Sequence, residues 1–188
     1  KAQPPVLRYR LCIAQALFSE AHGDLVGALV SLDAAERLYV RSPLPDFRPI
    51  SALKARIWLA HGKLTHSLAW VRERGLSPDD APSYLREFEH ITLARILIAH
   101  YQSARIDGSI HAAMRLLERL LNAAEAVGRM GSVIEILMLQ SLAYQTQGDH
   151  RRALAALERC LALAEPEFCT ANRLALARAA TNRELIRV

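Results

Sequence analysis

Lysine is nearly missing from this chain: of 24 basic residues only Lys1, Lys54 and Lys63 are lysines, and the other 21 are arginines. Aromatic residues are scarce too, at 6% of the total, although hydrophobic residues as a whole reach 52%. A core of Ala and Leu with few rings suits close helix–helix packing. It disfavours a β-sandwich, which draws on Val, Ile, Thr and aromatics. There are three cysteines, Cys12, Cys160 and Cys169, with no CxxC pair, so neither a zinc site nor a disulfide framework is indicated. Free cysteines fit a reducing cytoplasm. Long apolar runs are absent as well; Leu137-Met138-Leu139 is typical in being short and interrupted, and no transmembrane helix or signal peptide can be built. A soluble, cytoplasmic chain is expected, with no membrane contact. The net charge of +5 does not gather into a stripe. Arginines alternate with acids in Arg72-Glu73-Arg74, Glu118-Arg119 and Glu158-Arg159, which reads as solvated, mutually paired surface rather than a nucleic-acid footprint.

What is present is helix periodicity, in pairs. Pro4-Pro5 opens a segment with Leu7, Leu11, Ala14 and Phe18 on one face, stopping at His22-Gly23. Asp24 caps a second segment carrying Leu25, Ala28, Leu32, Ala35 and Leu38. Ser42-Pro43-Leu44-Pro45-Asp46 is a break, because each proline disfavours helix at the residue before it. Three further pairs follow, turning at Gly62, at Asp107-Gly108 and at Gly148, with breaks at 75–82 and at Gly128 to Gly131 and an end at Pro166. The hairpins are expected over about 4–40, 50–74, 83–127 and 132–164, forming one domain over 1–166. Residues 167–188 read equally as a capping helix or as an appended, non-native tail. Because the chain starts at Lys1 in mid-pattern, it reads as an excised piece of a longer polypeptide.

The turn glycines Gly23, Gly62, Gly108 and Gly148 lie 39, 46 and 40 residues apart. One helix pair per roughly 34–47 residues is the period of an α-solenoid. A single hairpin cannot bury its apolar face alone, so hairpins stack. The expected fold is therefore all-α: a right-handed superhelix of about four tetratricopeptide (TPR)-like antiparallel hairpins. The fourth hairpin fits the tetratricopeptide pattern best, with Leu137, Ser141 and Tyr144 before the turn and Ala153, Leu157 and Pro166 after it. The small residues Ser141 and Ala153 let the two helices approach closely. The first repeats part of this with Ala16, Ala28, Leu32 and Ala35. Ala55, Trp58 and Ser67, then Ala113 and Leu117, fit more loosely.

From Tyr84 onward the residues carry a family likeness. The run Leu85-Arg86-Glu87-Phe88-Glu89-His90-Ile91-Thr92-Leu93-Ala94-Arg95-Ile96-Leu97-Ile98-Ala99 resembles the helical-repeat region of MalT-like, large ATP-binding LuxR-family transcriptional regulators. Ala123-Ala124-Glu125-Ala126-Val127-Gly128-Arg129, Ser132 to Leu137, Gln147-Gly148-Asp149 and Ala153 to Pro166 continue it; beyond Glu167 the likeness stops. The resemblance implies transcription regulation and signal sensing. It implies an ATP-binding module on the N-terminal side and a DNA-binding helix-turn-helix on the C-terminal side. This chain shows neither a GxxxxGK[ST] loop nor such a reader. ATP and DNA contacts would belong to those other parts, and no cofactor is expected here.

Candidate chemistry is sparse. Glu87-x-x-His90 sets a carboxylate and an imidazole one helical turn apart, but a di-iron site needs two such motifs and two further Glu. A surface or helix-packing role is favoured, the remaining histidines read as polar surface, and no metal is expected. Ser67, Ser103 and Ser141 lack a strained Gly-flanked elbow. Cys12 and Cys160 sit on apolar faces as small hydrophobes. No catalytic residue is found, and no enzyme is expected. The remaining candidate is the exposed stripe on the first helix of each hairpin. Aligning Gly108 with Gly148 places Arg95, Ile98, Gln102 and Arg105 on it at i, i+3, i+7 and i+10, and adds Arg56, Glu135, Met138 and Gln145 from neighbouring hairpins. Arg95 interrupts an apolar run, which is costly unless it is paired or faces a wet cavity. It reads either as a groove residue or as the partner of Glu135 or Glu118. The function expected is effector sensing or partner binding in this groove, for a small molecule or a protein, with self-association left open. The alternative is a generic TPR-like adaptor that grips a peptide or protein without a small-molecule switch.

Overall fold

A computed structural model describes residues 4–38 and 46–171. The break read at Ser42 to Pro45, the end of the first hairpin at Val40 and the tail from Asn172 to Val188 lie outside the described residues. The helices are α1 (Pro5–Ala21), α2 (Leu25–Arg37), α3 (Ile50–Ala60), α4 (Leu64–Glu73), α5 (Glu87–Ala104), α6 (Asp107–Glu125), α7 (Met130–Thr146) and α8 (His150–Ala171), with a 3₁₀ turn at Tyr84–Arg86 before α5. No strand occurs among the described residues. The fold is an all-α, TPR-like helical repeat. It divides into two compact bodies, with the boundary between Leu120 and Leu121 inside α6.

The turns show why these helices stop. At Gly23 (φ 79°) the glycine N–H bonds back to the Glu20 carbonyl at 3.0 Å, and the Asp24 N–H reaches the Ser19 carbonyl at 2.9 Å. This double closure satisfies the last helical carbonyls and needs a left-handed residue, which glycine adopts without a Cβ clash. The same pair of bonds closes α3 at Gly62, α4 at Gly75, α6 at Gly128 and α7 at Gly148. Asp24 then caps α2 by accepting from the Gly27 N–H at 2.8 Å, which satisfies one orphan donor of its first turn.

Three boundaries differ from the sequence reading. The third hairpin does not turn on Gly108, which lies in the first turn of α6; Arg105 takes the left-handed conformation instead (φ 53°), donating its N–H to the Tyr101 carbonyl at 2.8 Å. With Arg105 as the marker, the left-handed residues of the four hairpins are 23, 62, 105 and 148, separated by 39, 43 and 43 residues. Gly131 likewise lies inside α7, so the break there closes at Arg129. Pro166 does not end the last helix, because α8 continues to Ala171. Pro166 has no N–H for the carbonyl of Ala162, but Ala162 is exposed and water can take that place.

Each of three hairpins closes on small residues. Ala16 and Ala28 are both buried in the first. In the second, the Ser67 hydroxyl donates to the Ala55 carbonyl at 2.9 Å, and in the fourth Ser141 donates to the Ala153 carbonyl at 2.8 Å. The two serines sit on opposite members of the pair, so the contact is repeated with the roles exchanged. These bonds satisfy the hydroxyls that the close approach would otherwise strand.

In the first body, Ala16, Ala28, Leu32 and Ala35 form one core with Ile50, Leu53 and Ile57 of α3. Lys54 ties α3 to α2 through Asp33 and Glu36, at 2.7 and 2.6 Å. Burial alone would lower the lysine pKa, but the two carboxylates outweigh it and hold the ammonium above its usual value. In the second body, Val133, Ile136, Leu137 and Leu139 of α7 are buried, as are Ala153, Cys160 and Ala164 of α8. Burial pushes the Cys160 thiol up, and its Sγ lies 3.5 Å from the Ile134 carbonyl. Arg159 of α8 pairs with Glu125. Acids and arginines thus pair between elements rather than only along one helix face as read from sequence.

Candidate functional site

The corrected turn moves the third register by three residues. Counted back from the left-handed residue, Glu135, Met138, Leu142 and Gln145 of α7 correspond to Thr92, Arg95, Ala99 and Gln102 of α5. Arg95 and Gln102 therefore stay on the first-helix stripe, while Ile98 and Arg105 leave it. The geometry agrees. Ile98 is only 1% exposed and belongs to the core, and Arg105 is the turn residue itself, its guanidinium 5.5 Å over the Tyr101 ring.

The stripe differs from hairpin to hairpin. On α3, Arg56 is drawn into the seam with α5: its Nε donates to the Thr92 hydroxyl at 2.8 Å, and its guanidinium lies 3.8 Å over the Phe88 ring. That placement corrects the reading of Arg56 as a groove side chain, since a stacked, hydrogen-bonded guanidinium serves packing. Thr92 in turn donates to the Phe88 carbonyl at 2.7 Å. Arg95 is half-buried and has a partner within the chain. Gln102 is exposed. In the second body the stripe of α7 is open, with Met138 50% and Leu142 38% exposed, Gln145 exposed and Glu135 half-buried.

The same count on α1, thirteen, ten, six and three residues before Gly23, gives Arg10, Ile13, Leu17 and Glu20. The first three border a cleft of about 190 Å³ whose other walls are Tyr9, Arg48 and Leu53. Sequence reasoning missed this site. The signal was available, because carrying the α7 register to Gly23 lands on these residues, but Arg48 comes from beyond the proline-rich break and no local pattern announces it.

His90 and its neighbour Glu89 are engaged within the protein. Glu89 is 2% exposed and sits between Arg74, at 2.7 Å, and Arg86, at 3.2 Å. His90, read from sequence as polar surface or a packing residue, is fully buried with Nε2 at 3.2 Å from Asp80 Oδ2. The Asp80 carboxylate also accepts from the Ser77 N–H at 3.0 Å; that backbone bond, then His90, holds Asp80 below the usual carboxylate range. Arg119 of α6 donates to the carbonyls of Pro78, Asp79 and Asp80. The cluster fastens the linker between α4 and α5. No group of three or more His, Cys, Asp or Glu placed to hold a metal occurs among the described residues, and no described helix is long and apolar enough to cross a membrane.

The family described as the MalT-like TPR region matches residues 7–169, which spans all four helical pairs. The chain belongs to that family. Neither the curated proteins nor the solved structures give a significant match. Membership in the MalT-like TPR region accounts for the paired helices, the turn spacing and the small residues at the hairpin crossings. It does not by itself assign a role to any stripe residue.

Proposed function

We propose that this MalT-like TPR region is the sensor and interaction segment of a LuxR-family transcriptional regulator, a cytoplasmic protein that binds an effector or a partner on its first-helix stripes. The observation that carries the reading is the family match over 7–169, joined to the exposed apolar and amide side chains Met138, Leu142 and Gln145 on α7. Apolar area with a few placed hydrogen-bonding groups is the chemistry of a recognition surface. The segment itself is non-catalytic and holds no cofactor or metal; ATP and DNA are handled by other modules of the regulator. Ligand binding on a stripe shifts the population between two arrangements of the repeats, and so biases oligomerisation of the whole protein.

The reading is tested in the parent gene. A GxxxxGK[ST] loop is expected on the N-terminal side of this segment and a helix-turn-helix on the C-terminal side. In a reporter strain, Gln102→Ala together with Gln145→Ala is expected to abolish induction while leaving the protein folded and abundant. Flanks without either module, or full induction by the double variant, would overturn it in favour of a plain peptide-binding adaptor.

A further inference from the structure

The cleft beside α1 is lined by the apolar residues Ile13, Leu17 and Leu53, by Tyr9, and by two arginines, Arg10 and Arg48. Among the described residues, no carboxylate lines it. Arg48 is held in place on both sides: its backbone N–H donates to Asp46 Oδ1 at 3.2 Å, and its guanidinium lies 5.4 Å from the centre of the Phe88 ring. The next residue, Pro49, is the cap of α3, so the backbone that presents Arg48 is stiff. Arg10 projects from α1, on the same stripe as Ile13 and Leu17.

The chemistry narrows the occupant. A polyhydroxylated ligand would find partners only at Tyr9, Arg10 and Arg48, and its remaining hydroxyls would lose water against Ile13, Leu17 and Leu53, which is unfavourable. A neutral hydrocarbon would leave the guanidiniums unused. The volume of about 190 Å³ is below the roughly 300–1,000 Å³ of sites for drug-sized ligands, so the occupant is small and is not a helix. Arginine presents a planar donor fork that matches a carboxylate. Resting on the reading of the first-helix stripe as the binding surface, we infer that this cleft binds a small amphiphilic carboxylate. Its hydrocarbon body lies on Ile13, Leu17 and Leu53, and its carboxylate sits between Arg10 and Arg48.

Calorimetric titration of the full chain with hexanoate, hexanamide and acetate tests this. Hexanoate is expected to bind saturably. Hexanamide lacks the charge and so loses a hydrogen bond to a charged group, and acetate lacks the tail and so loses the burial of its methylenes; each is expected to bind at least tenfold more weakly. Arg10→Gln with Arg48→Gln is expected to weaken hexanoate about tenfold with unchanged circular dichroism. Leu17→Asp, which sets a like charge beside the carboxylate at an exposed position, is expected to do the same. No saturable heat with hexanoate, or equal affinity in the double variant and in Leu17→Asp, would overturn the inference. The two readings fail separately. Loss of induction by the Gln102 and Gln145 changes without hexanoate binding removes only the cleft. Hexanoate binding with those changes silent removes Gln102 and Gln145 of α5 and α7 from effector sensing and leaves the carboxylate site on α1 standing.

Discussion

At the scale of single residues, the arginines divide by what surrounds them, and sequence position alone does not separate them. Arg56 resembles a groove side chain because it falls on the stripe, yet its guanidinium lies on Phe88 and bonds Thr92. Neither partner is near it in sequence, so no local pattern could reveal the contact. Ile98 shows the opposite case. Only a register three residues out sets it on the stripe, and its burial follows once the turn is placed at Arg105. Arg95 keeps its place on the stripe, but it is half-buried and engaged within the protein. Removing one member of a polar or charged contact from a partly buried site leaves the other member uncompensated, at a cost of about 1–3 kcal/mol. Arg95→Ala is therefore expected to lower stability by about that much in denaturant titration. Binding by the folded fraction is expected to change little. Wild-type stability combined with a weakened effector would return Arg95 to the binding surface.

At the scale of helices and turns, most of the architecture was legible. Period, helix pairing and three of the four hairpin turns follow from apolar spacing punctuated by glycine, since glycine is what a left-handed closing residue ordinarily requires. The third hairpin escaped because it closes on an arginine, while a glycine three residues later drew the reading forward. Gly108 has open space around its Cα and a helical setting, so nothing in the structure demands glycine there. Arg105, by contrast, holds φ 53°, a conformation that costs a residue with a Cβ roughly 1 kcal/mol. Its side chain is exposed and stacks loosely over Tyr101, so little packing is lost by removing it. Arg105→Gly is expected to raise stability by about 0.5–1 kcal/mol, net of the extra freedom glycine gives the unfolded chain. Urea titration with an unchanged slope checks this, and a destabilised variant would show that the Tyr101 contact outweighs the strain. Pro166 misled because a proline inside a helix removes one hydrogen bond without always ending the helix, and here α8 continues past it to Ala171.

At the scale of the whole molecule, a repeat protein is held together by contacts between successive units, so its cooperativity depends on the few ties that reach farther. In the first body one such tie is conspicuous. Arg119 on α6 donates to the carbonyls of Pro78, Asp79 and Asp80, about 40 residues back along the chain. These carbonyls belong to the linker that joins α4 to α5, and the linker is fixed on its other side by Asp80 against Ser77 and His90. A planar guanidinium can serve three carbonyls at once, whereas an ammonium or an apolar chain of similar length cannot. Arg119→Met keeps much of the side-chain packing but leaves the three carbonyls to whatever water can reach them. Pro78 and Asp80 are half-buried, so that access is incomplete. The variant is expected to lose about 1–3 kcal/mol, and the loss is expected to be local before it is global. Amide exchange is expected to speed up first over residues 76–86, where the linker hydrogen bonds are, while α1 to α3 keep their protection. A uniform rise in exchange across all of α1 to α6 would mean instead that the body opens as one unit and that Arg119 contributes only to its total stability. Unchanged exchange over 76–86 would show that Asp80, Ser77 and His90 fasten the linker without help from α6.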